Sequence, residues 1–151
     1  MRVKATLDLS DKKVRFVGDN SLLILGDGDI IIRNSTVVFD GVSLRAPQPF
    51  RQAFYVVGSG SSVVVRNASV ENLDQVLDGI TWINVEFRHS MIKVQNGPFT
   101  LVNVTFTDCD LRWLQFNQLG LELSERIRQA NGHAFSFGYT GTPPPTTPKA
   151  E

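Results

Sequence analysis

The stretch Trp82 to Leu111, WINVEFRHSMIKVQNGPFTLVNVTFTDCDL, states one phrase twice, as WINVEF from Trp82 and as LVNVTF from Leu101. Its two asparagines, Asn84 and Asn103, stand 19 residues apart. The phrase extends backwards to VRNASV from Val65 and FDGVSL from Phe39, so that the third residues (Gly41, Asn67, Asn84, Asn103) are separated by steps of 26, 17 and 19. Within each phrase, β-branched and aromatic residues alternate with polar ones, which is strand periodicity. A repeat of this kind near twenty residues is about one turn of a parallel β-helix.

One such turn cannot bury its apolar side or satisfy its own backbone groups, and the next turn does both at a spacing of about 4.8 Å. Side chains must then fall into columns. Leu44, Val70, Phe87 and Phe106 form one, and Val42, Ala68, Val85 and Val104 form another two residues earlier; both are apolar, as interior columns must be. Ser43, Ser69, Glu86 and Thr105 lie between them and are polar, as an outward column should be. Asn67, Asn84 and Asn103 form a further column. Asparagine tolerates the left-handed backbone of a sharp corner, its amide can bond to the copies above and below, and Gly41 suits the same place. An asparagine ladder is the expected result.

The remainder reads as more of the same. KVRFVG, LLILGD, DIIIRN, TVVFDG and YVVGSGSSVVV are short β-rich runs split by Gly and Asp. MIKV from Met91 and LRWL from Leu111 follow their asparagines at offsets of 7 and 8, which implies a one-residue loop adjustment. The expected fold is therefore all-β, a right-handed parallel β-helix of about five or six rungs. RAPQPFRQA, residues 45 to 53, holds two prolines and must leave the strand ladder.

An open stack of strands needs caps. In NQLGLELSERIRQANG, from Asn117, the period changes: Leu119, Leu123, Ile127 and Ala130 share a helical face, Glu122 and Arg126 are an i,i+4 pair, and Asn131-Gly132 reads as a stop. This predicts a capping α-helix over about 118–130, with VKATLDLS capping the other end. HAFSFGY is one further strand or an anchored return. The β-helix domain then covers 1–139, and TGTPPPTTPKAE, at 140–151, has the composition of a disordered Pro/Thr-rich tail.

Composition narrows the function. A chain of 151 residues with 42% hydrophobic content builds one core. Fifteen basic against fifteen acidic residues leaves no net field toward nucleic acid or an anionic membrane. No apolar run approaches the roughly 20 residues that span a bilayer. Cys109 stands alone and MRVKATLDLS lacks a signal-peptide core, so a reducing cytoplasm is the expected compartment. Asn34, Asn67 and Asn103 open glycosylation-type triplets, but the ladder column already accounts for two of them.

The phrases LDGITWINVEFRHSMIKV and GPFTLVNVTFTDCDL resemble those of small bacterial right-handed parallel β-helix repeat proteins, over residues 77 to about 130. There is a weaker resemblance to pentapeptide-repeat proteins through Cys109-Asp110-Leu111, without their sustained five-residue beat. In size and in its proline-bearing tail the chain also resembles bactofilins, which are short cytoplasmic β-helices that polymerise end to end, although their Gly-Asp-rich rungs are missing here.

β-Helix enzymes acting on polysaccharides gather carboxylates and a basic residue on one face. The matching set here is His89, Asp108, Asp110 and Arg112, with His89 aligned to Asp108 one rung on. GDGD, at 26–29, reads as a turn, since calcium wants about 6–8 oxygens. His89, His133 and Cys109 give at most three zinc ligands, so no metal and no cofactor is expected. Cys109 reads as a buried small residue beside the Phe106 strand. Trp82, Trp113, Phe116 and Tyr55, with Phe50 and Phe54, exceed what the interior columns claim and are interaction candidates. The reading is a non-enzymatic scaffold that self-associates or docks a protein partner. The alternative is a carbohydrate-binding or carbohydrate-cleaving β-helix with His89, Asp108, Asp110 and Arg112 as its site.

Overall fold

A computed structural model describes residues 2–3, 7–25, 30–46, 54–57, 60–94, 98–113 and 118–139. In chain order its elements are β1 (Arg2–Val3), β2 (Leu7–Ser10), β3 (Lys13–Leu25), β4 (Ile30–Arg33), β5 (Thr36–Arg45), β6 (Phe54–Val57) and β7 (Ser62–Glu71). They continue with β8 (Asp74–Val76), β9 (Ile80–Arg88), β10 (Met91–Val94), β11 (Phe99–Thr107), β12 (Asp110–Trp113), α1 (Gln118–Ala130) and β13 (Phe135–Tyr139).

The strands stack as parallel coils, a β-solenoid. One sheet has the order β1-β3-β5-β7-β9-β11-β13, and two three-stranded sheets, β2-β4-β6 and β8-β10-β12, form the remaining side. The register fixes the repeat: Leu44 pairs with Val70, Val70 with Phe87 and Phe87 with Phe106, which are the steps of 26, 17 and 19. The stack amounts to about four turns, not five or six. The two-residue β1 does not complete a turn, and β13, the HAFSFGY run, returns antiparallel to β11.

A second correction concerns the short strands. Met91 pairs with Asp110 and Ile92 with Leu111, so the step of 19 holds all the way round the coil and no loop adjustment occurs. The inward row decides this, because it places Leu111 beside the fully buried Ile92. At the long step, Arg45 still pairs with Glu71 and Ala46 is buried. Residues 47–53, the GDGD turn and the 140–151 tail lie outside the described residues.

Inward residues form columns. Val37, Val63 and Ile80 are one, and Phe39, Val65, Trp82 and Leu101 another, all essentially sealed from solvent. Phe16 stacks on Phe39 (centroids 4.7 Å, planes 7° apart) and Phe87 on Phe106 (4.9 Å, 8°), close to the strand spacing, so ring faces meet as a consequence of register. α1 adds Leu123 to this core and rests Ile127 against it.

The long strands β5, β7, β9 and β11 each bend at one left-handed residue: Gly41 (φ 75°), Asn67 (55°), Asn84 (53°) and Asn103 (54°). A second left-handed row sits at the tight corners, and its place changes along the axis. In the N-terminal half it joins a short strand to the next long one, at Asp11 and Asn34; in the C-terminal half it joins a long strand to the next short one, at Asn72, His89 and Asp108. Among the described residues β6 and β8 do not pair, so the third side is broken where the corner moves.

Candidate functional site

Among the described residues the buried polar side chains Ser35, Gln75 and Ser90 are each hydrogen-bonded, whereas the candidate residues stand on the outward rows, of which three are distinctive. The first is the amide row at the bend. Asn103 Nδ2 donates to Asn84 Oδ1 (2.6 Å), Asn84 Nδ2 to Asn67 Oδ1 (3.0 Å) and Asn67 Nδ2 to Asp40 Oδ1 (2.9 Å). Every amide therefore donates toward the N-terminal end, and the chain of bonds ends on a carboxylate. The Asn67 amide, the Arg66 guanidinium (Nε 3.1 Å from Oδ2) and Arg15 hold the Asp40 carboxyl below the usual carboxylate range. Ser43, Ser69, Glu86 and Thr105 run beside the amides, and the rows line an open polar groove of about 560 Å³. Sequence reasoning missed Asp40, although it stands directly before Gly41 and in register with Arg66.

Asn84→Ala should lower the unfolding free energy by about 1–2 kcal/mol, because it removes two amide bonds and forces alanine into a left-handed conformation. Asn84→Gly relaxes the backbone but not the amide loss, and should recover about half of that, read as the shift in urea midpoint. Equal losses for the two variants would show that backbone conformation is irrelevant at this position.

The second row is the C-terminal corner. His89 Nδ1 lies 3.0 Å from Asp108 Oδ2, with side chains 54% and 80% exposed. Both residues are left-handed, so the corner that turns the chain also brings them together. Asp110 and Arg112 stand on β12 opposite Met91 and Lys93, exposed, on the strand that follows this corner. A contact this open exchanges freely with water, which removes the low-dielectric setting in which an acid–base pair gains most. The residue after the His89 and Asp108 corners is small: Ser90 Oγ donates to Arg88 O (2.8 Å), and Cys109 Sγ, one coil on, lies 3.4 Å from Thr107 O and 3.3 Å from Phe87 O. Cys109 thus occupies the place of Ser90, and burial pushes its thiol up, away from the nucleophilic form.

The third row is the outer face of the first half of each long strand. Registers align Arg15, Val38, Val64, Thr81 and Thr100 in one column and Val17, Asp40, Arg66, Ile83 and Val102 in the next. Val17 is 66% and Val102 39% exposed, with Val38, Val64 and Ile83 half-buried between them. The charges on these two columns, Arg15, Asp40 and Arg66, are paired with one another. An outward sheet row normally alternates toward polar residues, and this one is largely β-branched. Each strand read alone hides this, because the outward valines emerge as a patch only once the unequal steps are aligned.

The aromatic candidates separate. Trp82 is fully buried, set edge-on to Phe87 (5.1 Å) with Nε1 3.4 Å from Leu77 O, so it presents no surface. Tyr55 is 38% exposed on β6, away from the valine columns. Trp113 ends β12 opposite Val94, its side chain lies outside the described residues, and Phe116 lies outside them altogether. Among the described residues no cluster of three or more His, Cys, Asp or Glu is arranged to hold a metal ion, and no helix is long and apolar enough to cross a membrane. Compared with known proteins, the chain matches no family model, no curated protein and no solved structure.

Proposed function

We propose that the chain is a non-enzymatic interaction module, a short β-solenoid scaffold that presents the outer face of its long sheet to a protein partner. The observation that supports this is the double column around Val17, Val38, Val64, Ile83 and Val102, whose neighbouring charges already satisfy one another. Such a face is flat, rigid and weakly charged, and covering it removes apolar area from water at little polar desolvation cost. The reading takes the chain with the small bacterial β-helix proteins that its phrases resemble, acting in the cytoplasm.

The test is quantitative capture of partners by the wild-type chain and by Ile83→Lys, with Tyr55→Ala as a control off this face. Partners should be lost with Ile83→Lys and kept with Tyr55→Ala; the same partner set for all three proteins would reject the proposal.

A second reading, carbohydrate binding, draws on the His89–Asp108 contact and on the hydroxyl and amide groove nearby. A glycan array separates the two: glycan binding abolished by Asp108→Ala would replace the first reading with the second.

A further inference from the structure

At the N-terminal end of the described solenoid, the first half of β3 has an edge with no strand beside it among the described residues. β1 pairs only with Ile24 and Leu25 of β3, and among the described residues no strand lies on the outer edge of Lys13–Val17. The core is open at the same place. Val14 and Phe16 are only partly buried, whereas Val37 and Phe39, their partners one turn in, are sealed. Phe16 gives one ring face to Phe39, and among the described residues no ring stacks on its other face.

The opposite end is guarded. α1 seats Leu123 in the core, and Arg126 donates to the main-chain oxygen of Ser136 on β13 (3.0 Å) while standing 5.7 Å from the Phe135 ring. Laying a helix and its charged side chain against the terminal strand is a usual means of blocking further pairing.

We propose that a second copy of this chain covers the N-terminal edge, the two β3 strands pairing antiparallel about a two-fold axis normal to the outer face and centred on Phe16. Only another strand completes a row of unpaired main-chain groups, and a two-fold necessarily sets identical edges antiparallel. The register follows from the side chains. Centred on Arg15, the pairing would oppose two exposed guanidinium groups, which is unfavourable. Centred on Val17, it would oppose Phe16 to Gly18 and leave the ring uncovered. Centred on Phe16, it lays the two Phe16 rings together, continues the Phe16–Phe39 stack into the second core and sets Arg15 against the second copy's Val17. Because the other end is guarded, the assembly closes at two copies and does not grow into a fibre. The inference does not rest on the outer face having a partner; if it has one, the dimer presents two such faces side by side, which multiplies binding to a repeated target.

Absolute mass by light scattering behind a sizing column, over a wide concentration range, should give a limiting species of twice the 16.8 kDa chain. Val17→Lys places a cation opposite Arg15 twice over and should weaken the dimer roughly tenfold, whereas Val102→Lys, in the same column at the guarded end, should leave it unchanged. In a Cys109→Ser background, oxidising an equimolar mixture of Arg15→Cys and Val17→Cys chains should yield more disulfide-linked dimer than either chain alone, which reads the register directly. A monomer at every concentration, growth into longer polymers, an equal response to the two lysines or no excess cross-link in the mixture would each overturn the proposal.

Discussion

Phe87→Ala lowers the unfolding free energy by about 3–5 kcal/mol, the range for deleting a buried phenylalanine where the surroundings do not collapse. Phe87 is sealed from solvent, its ring lies on Phe106 at 4.9 Å, and the edge of Trp82 meets it at 5.1 Å. Its register neighbours, Val70 and Phe106, are held by strand pairing, so neither can slide into the vacated space without breaking main-chain bonds. The cost therefore combines lost transfer energy with a persistent cavity. Equilibrium urea unfolding measures it, and a loss below about 1 kcal/mol would mean that the coil interior repacks like a liquid, contrary to close packing. Phe87→Leu, which keeps most of the volume, should cost markedly less.

Gly41→Ala is the second large effect, about 2–4 kcal/mol. A Cβ at Gly41 would overlap the main-chain oxygen of Gly18, and φ is +75°. The oxygen belongs to the neighbouring long strand, so relief requires moving backbone. The left-handed conformation adds roughly 1–2 kcal/mol and the overlap a similar amount. Gly132→Ala is the matched comparison, since its φ is +85° but nothing lies within 4 Å of the added carbon. It should lose only the conformational part. Similar losses at the two glycines would show that the contact with Gly18 is unimportant.

These two residues also illustrate what the sequence could and could not convey. Phe87 is legible because inward columns must be apolar in every coil, so four aligned phrases expose it. The bend is legible for a related reason: only Gly and Asn fill the third place of the phrase, and both accept left-handed backbone. Five or six turns exceed the observed four because KVRFVG and LLILGD read as separate runs, split by Gly18 and Asp19, whereas both lie on the one long strand β3. The His89–Asp108 contact could be aligned from the 19-residue step, yet its exposure, which governs its chemistry, is a property of three-dimensional packing. Trp82 shows the converse: it opens its phrase as Phe39 and Val65 open theirs, and only the packing reveals that this first place is a third inward column.

The break in the third side, where β6 and β8 do not pair among the described residues, has a consequence for how the chain folds. A stack in which each coil touches only its neighbours behaves as a one-dimensional array, in which order nucleates locally and spreads through successive interfaces. The closures between parallel long strands are short, with register steps between 17 and 26 residues from β5 to β11, so none of these is strongly disfavoured by chain entropy. β6 pairs back to β4 and β8 pairs forward to β10, so among the described residues the two short sheets are joined only through β7, and there the long sheet alone carries order onward. Propagation should pause there, which makes the N-terminal and C-terminal halves separate cooperative units that share a single hydrogen-bonded seam.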